Sequence, residues 1–496
     1  MTTPSLETLH AEEARKRRNT MLWVCGIALV GLIFDGYDLV VYGAVLPMFL
    51  ADPSLIGEVT RSSAGLLGSL AMIGVLVGAL SAGAVADLIG RRKVMLMSYA
   101  WFSVGMFATS LMSSYNGFGL WRFLTGLGVG ALVATTGAIV SEFAPPGKKN
   151  TATAVVYAGV PLGSLLAALL AIFFQDALGW SGLFKLGALP LVTLLPLAYF
   201  KMPESVSWLA SRGRLDEAAA ISAKTGVPVP VATAALKTDH DHAGEAARKA
   251  EGPAGFAGLF SAHYLFPTIV LGIMSASCLL LVYALNTWLP VIMQSAGMDS
   301  TQSLTMLLFL NGGAIVGAVF GSRFSDKIGP KPTVIVCFLI GALGILAMTL
   351  FKSVGLLLIV VAIVGLGTSG TQTLIFGLIA TFYRTNVRAA GVAWGAGFGR
   401  IGGILGPIVG GMLAAAYGPK TDAAGVVTDP GNLNMIFYIL AGIAVLGAIC
   451  CAIVRRGVDE DAANHSVVHV DPHADHLDTD TILETEGSVG KPAAGR

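Results

Sequence analysis

The sequence predicts an all-α membrane protein in which twelve transmembrane helices form two pseudo-symmetric six-helix bundles. Three observations predict this fold. Charged residues make up only 12% of the chain, twelve apolar runs are long enough to cross a bilayer, and the first six runs share a pattern with the last six. A helix needs about 20 apolar residues to cross the hydrocarbon core.

Charged residues are scarce outside three polar stretches. The chain of 496 residues is 54% hydrophobic, and about half of its 31 Lys and Arg and 30 Asp and Glu residues lie within 1–20, 202–260 and 457–496. Soluble proteins carry about 25% charged residues, so this composition excludes an ordinary soluble enzyme. The net charge of +1 offers no electrostatic footprint for nucleic acid, and we expect no nucleic-acid partner.

Two sets of six apolar runs define the spans. The first set lies near 21–50, 63–86, 94–112, 117–142, 150–174 and 181–201, and the second near 262–290, 301–324, 331–351, 355–382, 387–415 and 433–454. They predict an N-terminal segment, a first bundle, a central loop, a second bundle and a disordered, acidic, histidine-containing tail, at 1–20, 21–201, 202–260, 261–456 and 457–496.

The distribution of Lys and Arg predicts the orientation. Sixteen of these residues lie in the short connections and flanking segments on one side of the spans, and four lie on the other side. Positive residues accumulate on the cytoplasmic side of a membrane. We therefore expect a multi-pass protein of the cytoplasmic membrane with both termini and the 202–260 loop in the cytoplasm.

The two halves share an internal repeat with an offset of 239 residues. The loop Asp87-Leu88-Ile89-Gly90 matches Asp326-Lys327-Ile328-Gly329, and the glycines at 78, 126, 128 and 163 match those at 317, 365, 367 and 402. Parallel repeats of this kind are typical of transporters that bind substrate between their halves near the bilayer midplane.

The loop between the second and third runs carries the strongest local motif. It reads G-x-x-x-D-x-x-G-R-R-K from Gly83 to Lys93. A plain positive-inside loop explains its basic residues but not its acid and glycines. The loop resembles the signature of the major facilitator superfamily, and the resemblance covers essentially the whole chain. It implies alternating access, with a cytoplasmic gate at Gly83, Asp87, Gly90, Arg91 and Asp326. Arg388, at the mouth of the eleventh span, is a further gate candidate, and ordinary positive-inside charge is its alternative.

Two acids lie inside the first span, in Asp35-Gly36-Tyr37-Asp38. Residues three apart share a helix face, and acids within a span are costly and by default functional. Asp35 and Asp38 are therefore candidates for holding a proton; the alternative is a structural cap or ion pair. The stretch resembles the D-G-x-D motif of the aromatic acid/proton symporters, which carry benzoate and hydroxybenzoates. Met202-Pro203-Glu204-Ser205 and Gly399-Arg400-Ile401-Gly402 also resemble landmarks of that family.

Arg400 lies in the middle of an apolar, glycine-rich span. A guanidinium there needs a partner, which is either an acid of the protein or the substrate carboxylate, held through a bidentate fork. Arg122 and Glu142 open and close the fourth span. The resemblance implies that both act in proton coupling or gating. Glu142 is a proton-coupling candidate and Arg122 is a substrate-binding candidate; interface anchoring is the alternative for both.

Aromatic side chains along the spans could stack on an aromatic substrate. The preferred candidates are Trp288, Trp394 and Phe398, with Tyr42 also included; packing is the alternative for each. The stretch Gly365–Gly370 reads G-x-G-x-x-G. It lacks the strand and the acidic residue of a dinucleotide site, so close helix packing is the better interpretation.

These features predict a proton-coupled symporter that imports an aromatic carboxylate across the lipid bilayer, with one chain as the functional unit. The alternatives are a symporter for a non-aromatic organic acid and a membrane sensor of aromatic acids. No nucleophile, cofactor motif or metal-ligand set is apparent in the sequence. We therefore expect neither enzymatic activity nor a cofactor.

Overall fold

The computed structural model describes residues 6–145, 149–229, 255–421 and 427–454. Nearly all of these residues are helical, apart from loops and a small antiparallel ribbon formed by β1 (Lys420–Thr421) and β2 (Val427–Asp429). The expected disordered tail lies outside the described residues, as does part of the central loop.

Nine helices form the first half and the segment that follows it. They are α1 (Leu6–Ala51), α2 (Arg61–Ile89), α3 (Arg91–Thr109), α4 (Tyr115–Phe143), α5 (Lys149–Tyr157), α6 (Gly159–Gly187), α7 (Leu194–Lys201), α8 (Val206–Ser211) and α9 (Leu215–Thr225). The second half contains α10 (Gly255–Leu259), α11 (Leu265–Ser295), α12 (Ser300–Ile328), α13 (Pro330–Ala347), α14 (Val354–Gly367), α15 (Ser369–Phe382), α16 (Thr385–Tyr417) and α17 (Leu433–Ile453).

Ten helical stretches among the described residues are long and apolar enough to cross a membrane. One of them, Thr151–Lys201, contains two spans, because its helix is interrupted at Gly179, whose φ is 63°. Gly163 lies against Ile33 and Gly187 lies against Tyr37, one turn further along α1. A straight helix would separate 163 from 187 by about 36 Å, so the chain reverses between them.

Helix α3 supplies the remaining span. Its 19 residues begin with Arg91, Arg92 and Lys93, which lower its mean hydropathy below that of the other spans. With α3 included and Thr151–Lys201 counted as two, the twelve predicted spans are all present as helices.

The internal repeat is visible in the packing. Gly90 and Gly329 join α2 to α3 and α12 to α13 with nearly the same backbone angles, φ 101° and ψ 151° against φ 90° and ψ 156°. Only glycine adopts such angles readily. Gly78 packs on Leu127 just as Gly317 packs on Leu366, again 239 residues apart. The α2–α4 contact is therefore repeated as the α12–α14 contact.

The glycines of the G-x-G-x-x-G stretch serve this packing. Gly365 lies against Leu310, Gly367 against Gly341, and Gly370 against Gly317. Small residues let helices approach closely in lipid, where packing rather than the hydrophobic effect drives association. The structure therefore confirms the packing interpretation of this motif.

The two halves meet along a seam formed by α2 with α16, α6 with α12 and α1 with α11. Ser69 Oγ donates to the Ile404 carbonyl at 2.6 Å, and Arg61 Nη1 donates to the carbonyls of Ala414 and Pro419 at 3.0 and 2.9 Å. Gly43 packs on the backbone of Asn286 and Thr287. The inter-half seam therefore includes the N-terminal part of α2 and the C-terminal parts of α1, α11 and α16.

The inter-half hydrogen bonds of the seam do not extend to the opposite end of the bundle. We call it the basic end, because it carries Arg91 and Lys331. A Cβ added at Gly83 on α2, Gly377 on α15 or Gly397 on α16 would meet no atom within 4 Å. Gly397 lies one turn from Arg400 on nearly the same face of α16. The space between the halves thus extends from Arg400 towards the basic end.

Candidate substrate and proton site

Asp35 on α1 and Arg400 on α16 face each other across the two halves. Both are only half-buried, although each lies in the middle of its span. The carboxylate of Asp35 interacts electrostatically first with Arg400 and second with Asp38. Two side chains that are partly exposed at mid-span and face each other from different halves must line the space between those halves. We call this space the central cavity, and Asp35 and Arg400 lie on its wall.

Arg400 has no ion pair or hydrogen bond to a side chain or carbonyl within the described parts of the chain. Its electrostatic partners are Asp35 and the hydroxyls of Tyr157 and Tyr283. Its fork of N–H donors therefore keeps the capacity to hold a carboxylate in two parallel hydrogen bonds.

Tyr157 and Tyr283 complete the group around Arg400. Tyr157 ends α5 at a break in the fifth span, and its hydroxyl donates to the Val133 carbonyl at 2.9 Å. The Tyr283 ring lies beside Gly403, one turn beyond Arg400 on α16. Interrupted helices of this kind are typical of transporter binding sites, because the break frees backbone and side chains to line a cavity.

Asp38 lies on the same face of α1 as Asp35 but in a different environment. Its carboxylate forms a short ion pair with Arg122 of α4, and both side chains are at most 4% exposed. The guanidinium of Arg122 also lies over the rings of Tyr42 and Phe184, at 5.6 and 5.7 Å. Asp38, Arg122 and Tyr42 thus form a closed cluster within the first half.

Glu142 lies at the basic end and not with Asp35. It accepts hydrogen bonds from Ser205 Oγ at 2.6 Å and the Ser207 amide at 2.8 Å, and its carboxylate lies 3.5 Å from Arg91. The structure therefore brings the predicted proton-coupling residue Glu142 together with the predicted gating residue Arg91. It also joins both to the Glu204-Ser205 landmark at the N-terminus of α8.

The remaining gate candidates lie around the two glycine junctions. The Asp87 side chain is exposed, while its carbonyl accepts a hydrogen bond from Trp208 Nε1 at 2.8 Å. The side chain of Asp326 is likewise exposed. Arg388, at the start of α16, donates to the Tyr383 carbonyl at 3.4 Å.

The preferred aromatic candidates are not grouped with Arg400. Trp288 is 1% exposed, and its Nε1 donates to the Pro407 carbonyl at 2.9 Å within the inter-half seam. The rings of Trp394 and Phe398 lie 5.1 Å apart and pack beside Gly272 of α11. At 100° per residue, Phe398 lies nearly opposite Arg400 on α16. Their substrate contacts stay a prediction.

Nothing in the sequence surroundings of Tyr157 and Tyr283 distinguishes them from the other aromatic residues of the spans. The one available signal is the hydroxyl, since a buried tyrosine needs a polar partner. Gln372 is a further candidate: both of its amide atoms are buried without a hydrogen-bond partner in the described part of the chain. Asn286 and Asn311 instead bond to each other at 2.9 Å.

Two repeated helical halves around a charged cavity define a multi-span membrane transporter. Residues 24–455 match the family described as sugar (and other) transporter. The chain belongs to this family of the major facilitator superfamily, which confirms the predicted fold and shows that the chain is not an enzyme.

Comparison with individual proteins agrees with the family assignment. The chain is 31% identical to the benzoate transport protein of Acinetobacter baylyi, over 92% of this chain and 93% of that protein. It is also 31% identical to the gentisate transporter of Corynebacterium glutamicum, over 88% of each chain. The inward-open, partially occluded structure of the xylose transporter XylE from E. coli matches with a TM-score of 0.65 at 16% identity, over 88% of this chain and 100% of that one.

Proposed function

We propose that this protein is a proton-coupled symporter that imports an aromatic carboxylate, such as benzoate or a hydroxybenzoate, across the cytoplasmic membrane. The observation that carries the proposal is Arg400, a mid-span guanidinium on the cavity wall with Asp35 opposite and two tyrosines beside it. The relatives named for benzoate and gentisate transport support the substrate class.

Arg400 binds the substrate carboxylate in this proposal. A bidentate pair in a site of low dielectric is strong and directional, and no protein acid forms an ion pair with this guanidinium in the described residues. The rings of Tyr157 and Tyr283 contact the substrate ring. The amide of Gln372 is a candidate partner for a ring hydroxyl.

Asp35 couples the proton to the substrate. When Asp35 is ionised, it attracts Arg400 and repels a substrate carboxylate. When Asp35 is neutral, it no longer compensates part of the positive charge of Arg400, so Arg400 attracts the substrate carboxylate more strongly. Protonation and substrate binding therefore favour each other, and by linkage this coupling is reciprocal.

The energetics favour symport. An anion entering alone moves against an inside-negative potential at about 2.3 kcal/mol per 100 mV. One proton moving with each monovalent carboxylate cancels this cost. Since Lys and Arg concentrate at the basic end, we place that end and both termini in the cytoplasm. Each chain holds a complete site, so a monomer suffices for transport.

Alternating access then requires the inter-half seam to open and the basic end to close. The loops around Asp87 and Asp326 approach the opposite half when the basic end closes. We propose that Arg91, Glu142 and the α8 segment hold the Gly83–Gly90 loop in position for that approach. Arg388 lies at the mouth of the same cavity.

Uptake into proteoliposomes tests the function. Labelled benzoate should accumulate when the outside is acidified, and collapse of the pH gradient should abolish accumulation. Arg400→Ala should reduce uptake by about 10–100-fold, since a charge-assisted hydrogen bond contributes about 1.5–3 kcal/mol. Arg323→Ala, an exposed arginine at the basic end, is the matched control.

A competition panel tests the substrate class. Unlabelled benzoate, 4-hydroxybenzoate and gentisate should compete with labelled benzoate, whereas succinate and other aliphatic acids should not. Uptake that ignores the pH gradient would contradict symport. Competition by dicarboxylates alone would favour the non-aromatic alternative.

A further inference from the structure

A basic cavity lies at the basic end of the first half, apart from the site around Arg400. Its volume is about 330 Å³, a size typical of small-ligand sites. The start of α3, the end of α7 and the helices α8 and α9 enclose it. Its charged lining is Arg92, Lys93, Lys201, Arg214 and Lys224, with Glu204 and Glu217.

The two acids of this cavity are already satisfied by protein donors. Glu217 accepts both arms of Arg214, at 2.7 and 2.6 Å. Glu204 accepts the backbone N–H groups of Arg92 and Ser205, at 2.9 and 3.0 Å. Arg214 therefore offsets the charge of Glu217, whereas Glu204 keeps its charge but has its oxygen bound by two backbone donors. The four other cations outnumber this one remaining acid and face a ligand in the cavity.

Four cations keep donors for a ligand. Lys93, Lys201 and Lys224 are exposed. Arg92 donates through Nη2 to the Tyr199 carbonyl, but its Nε is buried without a hydrogen-bond partner among the described residues. The oxygens of a phosphate group can accept hydrogen bonds from the Nε donor of Arg92 and from the three lysines around this cavity.

The cavity opens where the sixth span leaves the membrane. Tyr199 and Phe200, at the end of α7, are 59% and 77% exposed. The ammonium of the next residue, Lys201, lies 5.2 Å from the centre of the Trp23 ring. Aromatic and basic residues concentrate at the boundary between acyl chains and water. The cavity thus lies at headgroup level with apolar surface beside it.

We propose that this cavity binds the headgroup of an anionic phospholipid. The cations hold the lipid phosphate, and the exposed rings of Tyr199 and Phe200 contact the glycerol and upper acyl region. A free phosphate compound shares the phosphate chemistry but makes no use of the apolar surface. Anionic lipids of the cytoplasmic leaflet favour basic segments close to the membrane.

Native mass spectrometry of the purified full chain tests the proposal. Delipidated protein is titrated with phosphatidylglycerol and, separately, with phosphatidylcholine. We expect tighter binding of phosphatidylglycerol, and the Lys93→Gln/Lys224→Gln variant should weaken that binding by at least about tenfold. Lys352→Gln/Lys420→Gln, which removes two exposed lysines elsewhere, should bind as the wild type does.

Lys201→Gln alone is a second variant and should weaken phosphatidylglycerol binding several-fold. Equal affinity for the two lipids, or unchanged phosphatidylglycerol binding by both cavity variants, would overturn the proposal. Inorganic phosphate at millimolar concentration should not displace the lipid. Full displacement would assign the cavity to soluble phosphate compounds instead.

Discussion

Asp35 and Asp38 are one helical turn apart on α1, but their surroundings differ, and we propose different tasks for them. Asp38 is sealed against Arg122 beneath two aromatic rings, whereas Asp35 faces the cavity without a hydrogen-bond partner among the described residues. A buried ion pair of this kind holds helices α1 and α4 in register, and an accessible carboxylate can exchange protons.

The stability of single variants separates these tasks. Asp38→Asn leaves the Arg122 charge buried and unpaired, which costs about 3–5 kcal/mol. Thermal unfolding of the purified protein should therefore begin many degrees lower. Asp35→Asn removes no ion pair and should unfold close to the wild type. An Asp38→Asn protein as stable as the wild type would show that the pair has no structural role.

The sequence predicted that these acids and Arg400 matter, because charges inside spans are rare and costly. It could not predict which acid pairs with which arginine. Asp38 and Arg122 are 84 residues apart and come together only through the packing of α1 on α4. The same limit applies to Glu142, whose partners Ser205 and Ser207 lie on the segment after the sixth span.

At the scale of helices, glycines set how closely α1 approaches its neighbours. A Cβ at Gly36 would overlap the Val160 carbonyl of α6, and one at Gly163 would overlap the Ile33 carbonyl of α1. Asp35 precedes Gly36, so this close crossing also fixes the position of the carboxylate beside the break at Tyr157. The glycine contributes by its missing side chain rather than by an unusual φ.

Gly36→Ala and Gly26→Ala form a matched pair on α1. Gly26 has no atom within 4 Å of an added Cβ, so alanine there should be neutral or stabilise the helix by up to about 1 kcal/mol. Gly36→Ala should destabilise by about 1–3 kcal/mol or more, because the helices must separate. The midpoint of thermal unfolding is measured for both variants. Equal midpoints would contradict the close crossing of α1 and α6 at Gly36.

The hydropathy of the sequence predicted the twelve helices well, because an apolar segment that crosses the lipid must pair its backbone N–H and C=O groups within its own helix. It did not predict the breaks at Ala158 and Thr368, where α5 gives way to α6 and α14 to α15. Both breaks occur inside stretches rich in small residues. Their positions depend on contacts with neighbouring helices, such as the Cys278 thiol that donates to the Thr368 carbonyl.

At the scale of the whole molecule, the inter-half hydrogen bonds and glycine contacts described above lie at the seam and not at the basic end. The seam includes side-chain hydrogen bonds from Ser69 and Arg61 to backbone carbonyls, together with close glycine contacts. A contact of this kind can separate without exposing a buried ion pair. In the proposed alternating-access cycle, the seam separates once in every cycle.

A disulfide across the seam should therefore stop transport. The Cβ position at Gly68 lies 3.0 Å from Cβ of Pro407, close to the range for disulfides. Gly68→Cys/Pro407→Cys, with the five native cysteines replaced, should cross-link under mild oxidation and lose uptake. Reduction should restore uptake, and Gly68→Cys alone should be insensitive to oxidant. Full uptake by the cross-linked protein would contradict alternating access.

The most direct test of the central claim is transport by Asp35→Asn in proteoliposomes. Since the asparagine leaves Arg400 free at every pH, this variant should exchange labelled for unlabelled benzoate at a rate within a few-fold of the wild type. It should lose accumulation driven by a pH gradient. Asp35→Asn protein that still concentrates benzoate when the outside is acidified would contradict the assignment of Asp35 as the proton site.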